Sequence, residues 1–221
     1  MKHFHVKRLQ RTLDTLHAQL KTWRQSSWME SPNWTRRNDY FGYDREDDAD
    51  LVKVDTRTCG TAGCLAGWGA IIAGAKFVAH PGEFLELVAP PGRVRAVLSG
   101  EEDPRHVRAF AGEYFGLDDH QAHAQFDSEN SYARLWALAM LFTGGRLTLP
   151  AEVTQDQAEG AREQGSEAYW AENFPREVLA EMEHLIYGEV FYAVDDQDQA
   201  VRAAALEAAR QQADARELQT A

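Results

Sequence analysis

From Thr58 to Ala75 the chain carries no charged residue and is punctuated by glycine at 60, 63, 67, 69 and 74. Glycine costs about 1 kcal/mol relative to alanine inside a helix, so a helix of this composition needs compensation from close packing. The missing side chains offer it by letting another backbone come near. Gly63, Gly67, Ala70 and Gly74 fall on one helical face, and Leu65, Trp68 and Ile72 on another. The pattern predicts a helix from Thr61 to Gly74, N-capped by Thr61 and buried on most sides at the centre of a domain. Such a helix is too short to cross a bilayer. No stretch of the chain approaches eighteen consecutive apolar residues, so no membrane association is expected.

The 221 residues, 44% apolar and 10% aromatic, suffice for one substantial core with appendages. Val6, Leu9, Leu13, Leu16, Leu20 and Trp23 recur at steps of three and four and predict a first amphipathic helix. Its narrow stripe suits docking on the protein's own core or pairing with another chain. Residues 26–58 read as irregular, with Trp28, Trp34, Tyr40, Phe41 and Tyr43 showing no period. Residues 84–88 and 94–98 flank Pro90-Pro91-Gly92 and predict a β-hairpin. Asp103-Pro104 predicts a helix start, and Gly116 its end. Leu117-Asp118 then leads to a short helix ending near Phe126. A further helix through Tyr132, Leu135, Trp136, Ala139 and Phe142 stops at Gly144-Gly145. Beyond Pro150 the composition is helical, with one helix marked by Val178, Leu179, Met182, Leu185, Ile186 and Tyr187 and a final Ala-rich helix from Ala200 to Leu218. The expected architecture is a mainly α domain around the buried Gly/Ala-rich helix, with a small β-hairpin. Residues 1–145 form the core, 146–200 a helical extension packed on it, and 201–221 an exposed or partner-dependent helical tail.

Charge narrows the function. The net charge is −12, and it is unevenly spread. Residues 1–37 hold eight bases against two acids, leaving −18 for the rest. A chain of this balance repels phosphate backbones, so nucleic acid is expected at most locally, on the basic first helix. Two cysteines are no disulfide framework and fit a reducing cytoplasm. The start, Met1 to His5, lacks the apolar run of a secretory signal.

The run Cys59-Gly60-Thr61, Cys64, Ala66-Gly67-Trp68 resembles a motif of small uncharacterised bacterial and phage proteins. An N-terminal helix and a Trp-containing loop precede it there, as here, and a Gly-Leu element with Gln-Ala and Phe follows. Gly116-Leu117, Gln121-Ala122 and Phe126 look like that element. The resemblance covers about residues 5–145 and implies no activity. The acidic stretch after Tyr43 and the helices beyond Pro150 depart from it.

Four candidate chemistries follow. A thiol in the first turn of a helix is activated by unpaired N–H groups, which makes Cys64, or Cys59 just before it, a candidate nucleophile for a hydrolase or transferase. The base would be His80, His106, His120, His123 or His184. Alternatively, Cys64 is a small buried hydrophobe. Cys59, Cys64, His120 and His123 make a candidate Cys2His2 zinc set, although two residues between the histidines is short for structural zinc. Phe110 to Asp127 has the outline of a helix-turn-helix, but the second helix has no Arg or Lys and opposes a DNA contact. Finally, Asp44, Glu46, Asp47, Asp48 and Asp50 crowd into seven positions, with Tyr40 and Tyr43 as anchors. Residues after Pro150 add sixteen acids against five bases. Such charge keeps a protein soluble, or it occupies a basic groove on a partner.

The leading expectation is therefore a non-enzymatic, cytoplasmic, acidic protein that binds a protein partner, an accessory or inhibitory protein of phage type. No cofactor is expected. A cysteine-dependent enzyme and a zinc-stabilised module are the alternatives, and the oligomeric state is left open.

Overall fold

The computed structural model describes residues 4–18, 23, 25, 52–54, 63–79, 95–97, 105–150, 175–187 and 196–220. Seven helices and four short strands lie among them. The helices are α1 (Val6–Ala18), α2 (Leu65–Ile72), α3 (Val107–Phe115), α4 (Asp119–Gln125), α5 (Tyr132–Thr143), α6 (Arg176–Tyr187) and α7 (Asp196–Thr220). The strands are β1 (Val52–Val54), β2 (Lys76–Ala79), β3 (Arg95–Val97) and β4 (Arg105–His106). The fold is mainly α with a small antiparallel sheet, as the sequence predicts. No helix among the described residues is long and apolar enough to cross a membrane.

Contacts divide the chain into two compact units: Met1–Arg8 with Thr22–Glu129, and Leu9–Lys21 with Asn130–Ala221. The sequence pattern places its divisions at 145 and 200.

The first unit holds α2, the sheet, α3 and α4. The strands run in the order β1-β2-β3-β4, every pair antiparallel. Val54 faces Phe77, Val78 faces Arg95, and Ala96 faces Arg105. The second arm of the predicted hairpin is thus β3, but its two neighbours are β2 and β4; residues 84–88 lie outside the described part. β1 falls within the stretch read as irregular, because three residues of alternation are too few to register as a strand.

α2 is shorter than predicted. Its N-cap is Cys64 in extended conformation, not Thr61, and the Sγ accepts from the Gly67 N–H at 3.5 Å. The glycine that packing requires is Gly69. A Cβ there would stand 2.5 Å from Cζ of Phe115, so the notch admits an aromatic ring rather than a backbone. α2 ends as expected at Gly74 (φ +81), where Ala75 N–H donates to Ala70 O and Gly74 N–H to Ile71 O. The same closure ends α3 at Gly116 and α5 at Gly144, both also at positive φ.

α3 begins at Val107, because residues 105–106 pair with β3 before the helix starts. Asp118 caps α4 in a reciprocal box with Gln121, at 2.9 and 3.0 Å. A Cβ on Gly112 would lie 3.1 Å from the Ala122 Cβ, which is how closely α3 and α4 approach.

The second unit is built on α5, and α5 is the most completely buried helix. Ten of its twelve residues are buried, including Tyr132, Leu135, Trp136 and Met140. The sequence predicts that central place for α2; α2 buries Leu65, Ala66, Gly67, Gly69 and Ala70 within the first unit. Leu9, Leu13 and Leu16 of α1 are sealed from solvent, each contributing roughly 1.5–3 kcal/mol. α7 begins at Asp196 and docks through Ala205, Leu206 and Ala209, so the tail from 201 is packed over part of its length. Val201 and Leu218 stay exposed. The α5–α7 approach is a backbone one: a Cβ on Gly145 would meet Ala208 Cβ at 2.7 Å and Ala205 Cα at 3.2 Å.

Leu147 to Pro150 follows α5 as irregular backbone, with Leu147 and Leu149 buried. Two glutamine amides pair with its backbone as a neighbouring strand would. Gln10 accepts from Thr148 N–H at 2.8 Å and donates to Thr148 O at 2.9 Å. Gln212 accepts from Leu149 N–H and donates to Leu147 O, both at 3.1 Å. Arg216 donates to Pro150 O.

Candidate functional site

Cys64 sits at the start of α2, where a helix N-terminus would stabilise a thiolate. Burial outweighs that effect. The residue is 1% exposed, and desolvation pushes the thiol from 9.0 up to about 11 against the opposing hydrogen bonds from Gly67 and Ala66. A thiol in this state is protonated at neutral pH and has no path for a substrate. It is a free cysteine that serves as the helix cap. The sequence placed it one turn inside the helix, and that difference turns a first-turn nucleophile into a capping group.

The other candidate cysteine, Cys59, lies outside the described residues. So do Tyr40, Tyr43, Asp44, Glu46, Asp47, Asp48 and Asp50, the residues of the predicted acidic contact. His80 also falls outside. His106 is the N-cap of α3, its Nδ1 accepting from Arg108 N–H at 3.2 Å. His184 lies exposed on α6.

His120 and His123 are exposed on α4, whereas Cys64 is buried. Among the described residues no three His, Cys, Asp or Glu side chains gather where they could hold a metal ion. The helix-turn-helix outline is real as a helical pair, α3 and α4 joined at Gly116 to Asp118. α4 buries Ala122, Ala124 and Gln125 and turns Asp118, Asp119, His120 and His123 to solvent.

The structure adds one juxtaposition that sequence reasoning missed. Arg108 on α3 brings its guanidinium Nη1 to 2.9 Å from Nδ1 of His123 on α4. The two lie fifteen positions apart, with no spacing rule to connect them; only the tight α3–α4 turn makes them neighbours. A guanidinium has donors only, so His123 Nδ1 accepts and the neutral ring carries its proton on Nε2. Nearby, Arg105 pairs with Glu113 at 2.5 Å and lies over the Phe110 ring.

In the second unit His17 stacks on Tyr132 with ring centroids 6.4 Å apart. Burial holds its pKa below 6.5; Arg216 lowers it further, and Asp14 opposes. Burial also raises the Tyr132 phenol well above its ordinary value. These groups sit in the helix packing and lend the core pH sensitivity.

Compared with known proteins, the chain matches no family model, no curated protein and no solved structure.

Proposed function

We propose that the chain is a non-enzymatic acidic binding protein of the cytoplasm, an accessory or inhibitory protein of phage type that acts on a protein partner. The observation that carries this reading is the state of Cys64: capped into α2, 1% exposed, its thiol pushed up to about 11. The described thiol works as architecture, and what the chain offers for recognition is charge. The net charge is −12, with five acids packed between Asp44 and Asp50 beside Tyr40 and Tyr43. Charge of one sign speeds encounter with a basic surface and selects against acidic ones.

The test is capture of proteins from host lysate by the full chain and by a variant with Asp44, Asp47, Asp48 and Asp50 changed to Asn and Glu46 to Gln. A partner retained by the wild type should be lost by the variant, and its retention should weaken as salt is raised. Equal capture by both proteins overturns the assignment of the acidic run as the contact.

A further inference from the structure

We propose that Arg108 and His123, with His120 one helical turn away, form a binding site for a phosphate group, either free or carried on a partner's side chain. Arg108 is exposed, and its guanidinium meets no carboxylate among the described residues; its side-chain hydrogen bond goes to His123. Of the neighbouring acids, Glu113 pairs with Arg105 and Asp118 closes the capping box of α4; Asp119 stands one turn before His123 on the same face, so an anion held here is held against that charge.

The chemistry of the pair is one-sided. One guanidinium nitrogen is occupied by His123, and the remaining N–H groups of the fork stay available. Because His123 Nδ1 already accepts, the ring presents Nε2–H. Every polar hydrogen left to the pair is therefore a donor for a ligand, beside a fixed positive charge. That arrangement repels a divalent cation, which would need the imidazole lone pair that Arg108 occupies. His123, singled out as a zinc candidate, thus has its Nδ1 lone pair taken by Arg108 and only a donor left to offer a ligand. A phosphate fits better than a smaller anion, because its several acceptor oxygens can meet the planar fork and a separate imidazole donor together.

The site can be tested on the full-length protein by NMR near neutral pH, observing the Arg108 side chain and the His123 ring. Inorganic phosphate and a short Gly-flanked phosphoserine peptide are titrated separately, with chloride and acetate at matched ionic strength as controls. Saturable shifts at both residues are expected with phosphate, the peptide, or both. A response to inorganic phosphate assigns the free anion as a ligand, and a response to the peptide alone assigns a phosphorylated side chain as the source. Arg108→Gln should weaken binding about tenfold or more, as expected for a charge-assisted hydrogen bond. Arg108→Lys, which keeps the charge and loses the fork, should fall between. Circular dichroism should show both variants folded. Equal shifts with chloride or acetate, or wild-type affinity in folded Arg108→Gln, would overturn the assignment.

Discussion

A protein carrying Cys59→Ala keeps Cys64 as its one thiol, and the structure fixes how slowly that thiol should react. Thiolate is the reactive form. At pH 8 a thiol at its ordinary 9.0 is about one-tenth ionised, whereas one at about 11 is about one-thousandth ionised. Ionisation alone therefore slows modification about a hundredfold. Occlusion adds to this, since a residue 1% exposed gives a bulky aromatic disulfide reagent no route in without local opening. Labelling of the native protein should run at least about a hundredfold slower than in denaturant. Its rate should climb with urea in step with unfolding.

The same burial sets a pH dependence. The folded thiol holds its proton more tightly than the unfolded one, so this stabilisation is complete below 9.0 and is lost as pH rises from 9.0 towards about 11. On the Cys59→Ala background, Cys64→Ser keeps an acceptor for the Gly67 N–H and removes the ionisable group. The difference between the two proteins in urea unfolding should therefore change across that alkaline window and stay constant below it. A native thiol that reacts within tenfold of the unfolded chain, independently of urea, refutes the claim that Cys64 is sealed.

Gly69→Ala should destabilise the protein by about 1–2 kcal/mol in urea unfolding, because the overpacking cost against buried Phe115 exceeds the helix-propensity gain; Phe115→Leu in the same chain should recover part of the loss. Gly145→Ala should cost more, about 2–4 kcal/mol, because the new Cβ meets Ala205 and Ala208 while the backbone is held at φ +74. Gln212→Ala removes both hydrogen bonds to Leu147 and Leu149 and should cost about 1–3 kcal/mol, whereas Gln212→Glu should restore only the bond from Leu149 N–H. His17, held below 6.5 mainly by burial, contributes no penalty above that pH and an increasing one as pH falls from 6.5 towards its lower folded value. Thermal melting between pH 7.5 and 5 should therefore fall more steeply for the wild type than for His17→Gln.

What could be read from the sequence was the local grammar of helices. Gly74, Gly116 and Gly144 stop helices where the chain said they would, because positive φ is a backbone demand that glycine meets without steric cost. The stripe Leu9, Leu13, Leu16 is buried as its spacing requires. What failed to show were properties set by tertiary packing. Gly63, Gly67, Ala70 and Gly74 looked like the face for close approach, yet Gly69 receives Phe115, and the close backbone approach occurs at Gly145. Both depend on partners more than forty positions away. Cys64 was placed one turn inside α2 because Thr61 is the stronger capping residue by type; the observed cap uses a weaker sulfur acceptor. The Arg108–His123 contact carried no signal, since 108 and 123 fall on different helices and neither lies on an apolar face. The acidic run and Cys59 lie outside the described residues, so those readings rest on sequence.

The polar groups of the described chain are largely committed to backbone work. Cys64, Asp118, Gln121 and Ser131 satisfy helix N-termini, and Gln10, Gln212 and Arg216 stand in for strand partners along Leu147 to Pro150. Arg134 and Arg210 are paired with Glu181 and Glu183. The proposed recognition rests on two other sets, and their signs are opposite: the acid-rich run at 44–50 of the sequence, and the donor pair Arg108–His123. Their opposition makes them separable. Salt should weaken a partner held by the acidic run, and millimolar phosphate at constant ionic strength should not, whereas phosphate should compete away a ligand held at Arg108. Loss of partner capture in the acidic-run variant with phosphate binding intact would assign two independent contacts to one chain. If Arg108→Gln abolished partner capture as well, the partner would have to carry both a basic surface and an anionic group, and one ligand would span both contacts.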